Sequence, residues 1–164
     1  MSPPRGGISE RFMEFIRGRV IEAGIDTYTE DAMPVPTSRT EELAMLIHKV
    51  MVNVATPTMQ AASVTLSSWH VADRSYVSTR DRSYPGILAY GSREANDLPA
   101  GLFSYPGDRP QFVYDFDPPI LYAKALIYLG FASEGEAAPQ WCKVAIGYTL
   151  ERVSKDAFIA ALIE

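Results

Sequence analysis

The sequence predicts an all-β sandwich, and three observations carry that prediction. From residue 25 onward, short apolar or alternating runs are broken by Pro, Gly, Ser and Asp at close intervals. Near the C-terminus, Cys142, Val144, Ile146, Tyr148 and Leu150 fall on one strand face, with Lys143, Thr149 and Glu151 on the other. Between Ile120 and Phe131 both faces are apolar, so that run needs cover on both sides.

Taken in chain order, residues 1–24 read as a helical extension. Ile8, Phe12, Ile16 and Val20 recur at spacing four, Phe15 lies beside them, and Gly24 supplies a stop. Eight strands follow over 25–152: Ile25–Met33, Glu42–Ala55, Ser63–Val71, Arg74–Thr79, Gly86–Tyr90, Gln111–Phe116, Ile120–Phe131 and Gln140–Arg152. Phe112, Tyr114 and Phe116 share a face of the sixth, and Asp117-Pro118-Pro119 predicts a corner after it. Gly91 to Pro110 has little periodicity and reads as a long ordered loop. Residues 153–164 close the chain as a helix, with Ser154 as N-cap, Asp156 in the first turn, and Phe158, Ile159, Leu162 and Ile163 as an apolar stripe.

Charge and cysteine usage narrow the function classes. The chain of 164 residues carries 15 Lys+Arg against 20 Asp+Glu, a net of −5, the wrong sign for a protein that coats polyphosphate. Residues 1–24 hold four arginines against three glutamates, which is too weak for a nucleic-acid arm. Cys142 is the single cysteine, excluding an intrachain disulfide framework and a Cys-based zinc knuckle. The longest apolar stretch, Leu43 to Ala55, carries His48, Lys49 and Asn53 and falls short of the roughly 20 residues a spanning helix needs. The chain therefore reads as folding in an aqueous compartment without a membrane span.

Little in the sequence points to catalysis. His48, in phase with Leu46, Val50 and Val52, reads as a hydrogen-bonded structural histidine, and His70 as a surface or interface residue at a strand end. Cys142, in phase with Val144 and Ile146, reads as a small buried hydrophobe. The acid pairs Glu41-Glu42, Asp115/Asp117 and Glu134/Glu136 read as solvated turn chemistry. No phosphate loop and no Gly-x-Ser-x-Gly elbow occurs. No catalytic, cofactor-binding or metal-ligating residue is assigned, and the chain is read as no enzyme. The two identical tetrapeptides Asp73-Arg74-Ser75-Tyr76 and Asp81-Arg82-Ser83-Tyr84 do invite attention. Arg74, Arg80 and Arg82, with Trp69 and Tyr76, form a candidate set for stacking bases or clamping a phosphate or other ligand. The competing reading is an exposed β-edge whose Asp73 and Asp81 cancel the local field.

Interface-type residues are plentiful: nine Tyr, seven Phe, two Trp and six Met. The run Glu42-Leu43-Ala44-Met45-Leu46-Ile47-His48-Lys49-Val50, after the turn Pro34-Val35-Pro36, and the run Lys143-Val144-Ala145-Ile146-Gly147-Tyr148-Thr149-Leu150 resemble the first long strand and the last strand of single jelly-roll virus coat proteins. The likeness spans Ile25 to Arg152. It implies an eight-stranded jelly-roll sandwich with short N- and C-terminal helices, and a virion coat subunit assembled in the host cytoplasm into a closed shell. Its partners would be copies of itself in a large homo-oligomer, and two options stay open for the genome: a capsid that does not condense it through an arm, or a second structural protein that does so. The expected inter-subunit contacts are Phe12, Phe15 and Ile16, the loop residues Phe103 and Tyr105, and Phe158 and Leu162. Many small coat proteins carry a strongly basic N-terminal arm, which this chain lacks, and that speaks against direct genome binding. Two other classes stay open: a carbohydrate- or ligand-binding sandwich using Trp69, Tyr76, Tyr84 and Trp141 with Asp73 and Arg74, and an enzyme on a small β-barrel using His48 or His70 with a carboxylate.

Overall fold

The computed structural model describes residues 13–57, 64–98, 102–104 and 111–163. Nine strands and one helix occur among them: β1 (Glu14–Ile21), β2 (Thr29–Pro34), β3 (Leu43–Val54), β4 (Val64–Ala72), β5 (Ile87–Leu98), β6 (Leu102–Ser104), β7 (Gln111–Tyr122), β8 (Leu126–Glu134), β9 (Trp141–Arg152) and α1 (Lys155–Ile163). They form two antiparallel sheets, ordered β1-β9-β3-β7 and β2-β8-β4-β5-β6. The pairings nest: β4 with β5, β3 with β7, β2 with β8 and β1 with β9. This is one long hairpin rolled up on itself, the jelly roll, with β6 added at an edge.

Each sheet turns its apolar side inward, and the side chains interdigitate as one core. Trp69, Phe131, Met45, Ile47, Ile127, Leu129 and Ile146 are fully buried there. Trp69 and Phe112 meet across the sheets with ring centroids 4.4 Å apart. At the rim, the buried Glu22 carboxylate accepts hydrogen bonds from the Ser133 amide at 2.7 Å, the Ser133 hydroxyl at 2.8 Å and the Gln140 amide at 2.8 Å. That one side chain ties the end of β1 to the far end of β8 and the start of β9.

Several expectations need correction. Glu14–Ile21 is a strand of the first sheet, not part of a helix. A spacing of four is two full strand periods, so Ile16 and Val20 satisfy both readings, and the exposed edge of β9 decides between them. The strand expected at Arg74–Thr79 is an irregular crossing, while within the expected loop Gly91 to Leu98 continues β5, pairing with β4 as far as Asn96 and with β6 from Asn96 to Leu98. Asp117-Pro118-Pro119 does not turn the chain: it lies inside β7, where Lys49 opposes Asp115 and Ile47 opposes Ile120. The residues between form a bulge with no ladder partner, so proline's missing N–H leaves nothing unpaired. The corner comes later, at 123–125, and splits the run that was apolar on both faces between β7 and β8.

The C-terminal helix forms as expected. The Ser154 hydroxyl accepts from the Ala157 amide at 3.2 Å, and Phe158 packs against Ala44 and Ala123 with Leu162 beside it. Ile159 and Ile163, read as part of the same stripe, point away and are exposed. No helix among the described residues is long and apolar enough to cross a membrane.

Candidate functional site

The two copies of the Asp-Arg-Ser-Tyr tetrapeptide lie in the crossing between β4 and β5, residues 73–86, which folds over the outer face of the second sheet. Its base is closed by the Asp73 amide donating to the Gly86 carbonyl at 2.9 Å, with Gly86 at φ +78°. Asp73 is shared by Arg74, whose Nε donates at 2.7 Å, and by Lys124. Burial works to raise the Asp73 pKa, but the hydrogen bonds from Arg74 and Lys124 outweigh it and hold the carboxyl below its ordinary range.

Alternation along β4 sends Trp69 inward and His70 outward, beneath this crossing. His70 is fully buried, correcting its reading as a surface residue. Its Nδ1 accepts from the Arg80 amide at 3.1 Å, which leaves the ring proton on Nε2, 3.8 Å from Glu30 Oε2. Glu30, on β2, accepts from the Tyr28 hydroxyl at 2.9 Å and the Tyr76 amide at 3.0 Å, and Ser75 donates to its other oxygen. Gly130 on β8 makes room for this: a Cβ there would lie 2.6 Å from the His70 ring and from the Tyr28 hydroxyl. Glu30 and His70 together pin the crossing to the sheet.

Burial lowers the His70 pKa below 6.5, with Glu30 acting in the opposite direction. The folded state thus holds a neutral ring that the unfolded chain would protonate first as pH falls. The stability this contributes is present above the unfolded value and lost as pH drops below it. The urea midpoint should therefore fall between about pH 7.5 and about pH 5, and His70→Gln should flatten that fall. An unchanged slope in the variant would assign the acid sensitivity elsewhere.

The two tetrapeptides bring their tyrosines together. Tyr76 and Tyr84 meet edge to face at 6.3 Å, and the Arg80 guanidinium stacks over Tyr84 at 4.7 Å and near Tyr76 at 6.0 Å. Tyr76 also donates to the Pro85 carbonyl. Beside them runs an open groove of about 380 Å³, lined by Ser68, Thr79, Arg80, Asp81, Tyr84 and Tyr90. Of the predicted contact set, Arg80 lines this groove, Arg74 is committed to Asp73, and Arg82 lies 5.9 Å over Tyr114. Trp69 is enclosed in the core and presents no stacking face to a ligand.

The remaining residues singled out by sequence are dispersed. His48 Nε2 and the Thr149 hydroxyl are 2.9 Å apart, a structural hydrogen bond. Cys142 is buried, and burial pushes its thiol pKa well up, away from thiolate chemistry. Glu136, read as a turn residue, is buried too. Among the described residues no group of three His, Cys, Asp or Glu side chains could hold a metal ion. Phe15 lies half-exposed on the outer face of β1, whereas Ile16 packs on the core and Phe158 is buried against its own chain. Phe103 sits in β6 opposite Asp97, and Phe12 and Tyr105 lie outside the described residues.

No protein-family model and no curated protein matches the sequence. Among solved structures, the chain is similar to one of tomato aspermy virus determined by X-ray crystallography, with 15% identity, 93% of this chain and 83% of that chain covered, and a TM-score of 0.43. A structure of desmodium yellow mottle tymovirus is similar at 13% identity, covering 94% and 97% of the two chains, with a TM-score of 0.32.

Proposed function

We propose that the chain is a structural subunit that assembles with copies of itself into a closed shell, the virion coat role that its sequence resemblance implies. The supporting observation is apolar exposure on separate parts of the rolled hairpin. Ile163 is 78% exposed on the free side of α1, with Ile159 one turn before it, and Val113 is 50% exposed on the outer face of the edge strand β7. Heterologous contacts that close a shell join two different patches on each subunit, and large exposed side chains of this kind are the material for them.

Changing Ile16 would attack the core, so the informative variant is Ile159→Asp with Ile163→Asp, on the side of α1 that its own chain leaves uncovered. Light scattering after size exclusion, with negative-stain images of the same fraction, is expected to show megadalton particles for the native chain. For the variant it should show subunits of 18.1 kDa with an unchanged circular dichroism spectrum. Native chain that stays at that mass at every concentration overturns the proposal. That outcome would turn the reading to a ligand-binding sandwich, favoured by the groove whose hydroxyls, Asp81 carboxylate and tyrosine faces suit a polyhydroxylated ligand.

A further inference from the structure

The outer face of the first sheet carries a feature that the sequence reading dispersed. With Glu14–Ile21 a strand, Arg17 and Arg19 lie on one face, and the inward Gly18 between them is covered by Met33. Arg19 stands opposite Lys143 of β9, Lys143 opposite Asn53 of β3, and Asn53 opposite Gln111 of β7. One row across four strands thus reads cation, cation, amide, amide. In the next row Arg17 stands opposite Ala145, whose small side chain leaves the floor of the groove low. The groove measures about 440 Å³ and is lined by Arg17, Arg19, Asn53, Lys143 and Ala145.

At the end of this groove lies Trp141, on the same face as Lys143 and opposite Ile21. The Lys143 Nζ is 4.7 Å from its ring centroid and the Arg19 guanidinium carbon 5.7 Å. Among the described residues no carboxylate forms an ion pair with Arg17, Arg19 or Lys143, and the nearby Asp115 is paired with Lys49 at 3.6 Å. In a chain of net charge −5, two cations rest on one indole and a third, Arg17, lines the same groove.

We infer that this groove binds single-stranded nucleic acid, with Arg17, Arg19 and Lys143 on phosphates, Trp141 stacking a base, and Asn53 and Gln111 within the same row for base edges. A positive groove tracking the backbone beside an aromatic platform is how single strands are held without sequence preference. The indole selects nucleic acid over a polyanion without rings. Exposed cations resting on a ring are weakly held and leave it readily for a phosphate. Whether or not the chain assembles, the inference stands on this face alone.

Fluorescence anisotropy of a labelled oligouridine of about 20 nucleotides, titrated with the full chain over a salt series, tests it. Three phosphate contacts predict a slope of log affinity against log salt near about −2. Replacing Arg17, Arg19 and Lys143 together by Gln, all at exposed positions, should weaken binding by about tenfold or more and bring the slope toward zero. Trp141→Ala should weaken it by about tenfold through lost stacking. Arg74→Gln with Arg82→Gln, on the crossing over the other sheet, should change nothing, and circular dichroism confirms folding throughout. The inference is overturned by absence of binding at about 50 mM salt, by an unaffected triple variant, or by loss in the Arg74/Arg82 variant instead. It also fails if heparin binds equally well and Trp141→Ala is neutral, which would mark a site for any polyanion.

Discussion

Trp69→Ala is expected to destabilise the fold by about 3–5 kcal/mol, the range for deleting a large aromatic side chain from a packed core. Trp69 is fully buried, stacks obliquely on Phe112 across the two sheets, and lies under Gly91, where a Cβ would come 2.3 Å from the indole. The sandwich cannot collapse into the space, because both sheets are held apart by Phe131, Met45 and Ile146 around it. The measurement is a urea denaturation midpoint beside a ligand titration. A large drop in midpoint with unchanged oligonucleotide affinity separates this tryptophan from Trp141, which is partly exposed and whose loss should do the reverse. A native-like midpoint for Trp69→Ala would mean that the inter-sheet core is not the source of stability described above.

Glu22→Leu is expected to cost about 2–4 kcal/mol. The change keeps a side chain of similar bulk at the rim but leaves the Ser133 and Gln140 amides and the Ser133 hydroxyl without their acceptor. Each buried donor left unmade costs about 1–3 kcal/mol, offset in part because no carboxylate need then be desolvated. Glu22→Gln should lose less, since an amide oxygen still accepts, and Ser133→Ala less again, since the Gln140 amide keeps its partner. Denaturation midpoints ranked native, Ser133→Ala, Glu22→Gln, Glu22→Leu in falling order support this account. A neutral Glu22→Leu would show that water satisfies those amides.

How far the sequence could be read depends on which interactions are local. The alternation from Cys142 to Tyr148 reports a strand with one buried face because the two-residue period belongs to the strand itself, and β9 has that face, although Leu150, expected on it, is exposed. Ser154 caps a helix because its hydroxyl needs only an amide three residues on. The four-residue spacing of Ile16 and Val20 fits helix and strand alike, so β1 became visible only once β9 offered it an edge. The same ambiguity hid the cationic groove. On a helix Arg17 and Arg19 point in different directions, and only in a strand do they line up toward Lys143.

Glu22, Glu30 and His70 were illegible as a class. Glu22 accepts from residues 111 and 118 positions away, and Glu30 reaches 46 positions to Tyr76. The pattern of polarity along a strand says that a carboxylate faces outward, not that a crossing or a strand end will later cover it. The sequence by itself determined the all-β class, the buried face of β9 and the capped C-terminal helix, because these follow from side-chain periodicity and backbone chemistry within a few residues. The tertiary structure alone decided the order of strands in the rolled hairpin, the burial of Trp69 and His70, and the row of Arg19, Lys143, Asn53 and Gln111. Each of those depends on register between segments far apart in the chain, which no local period encodes.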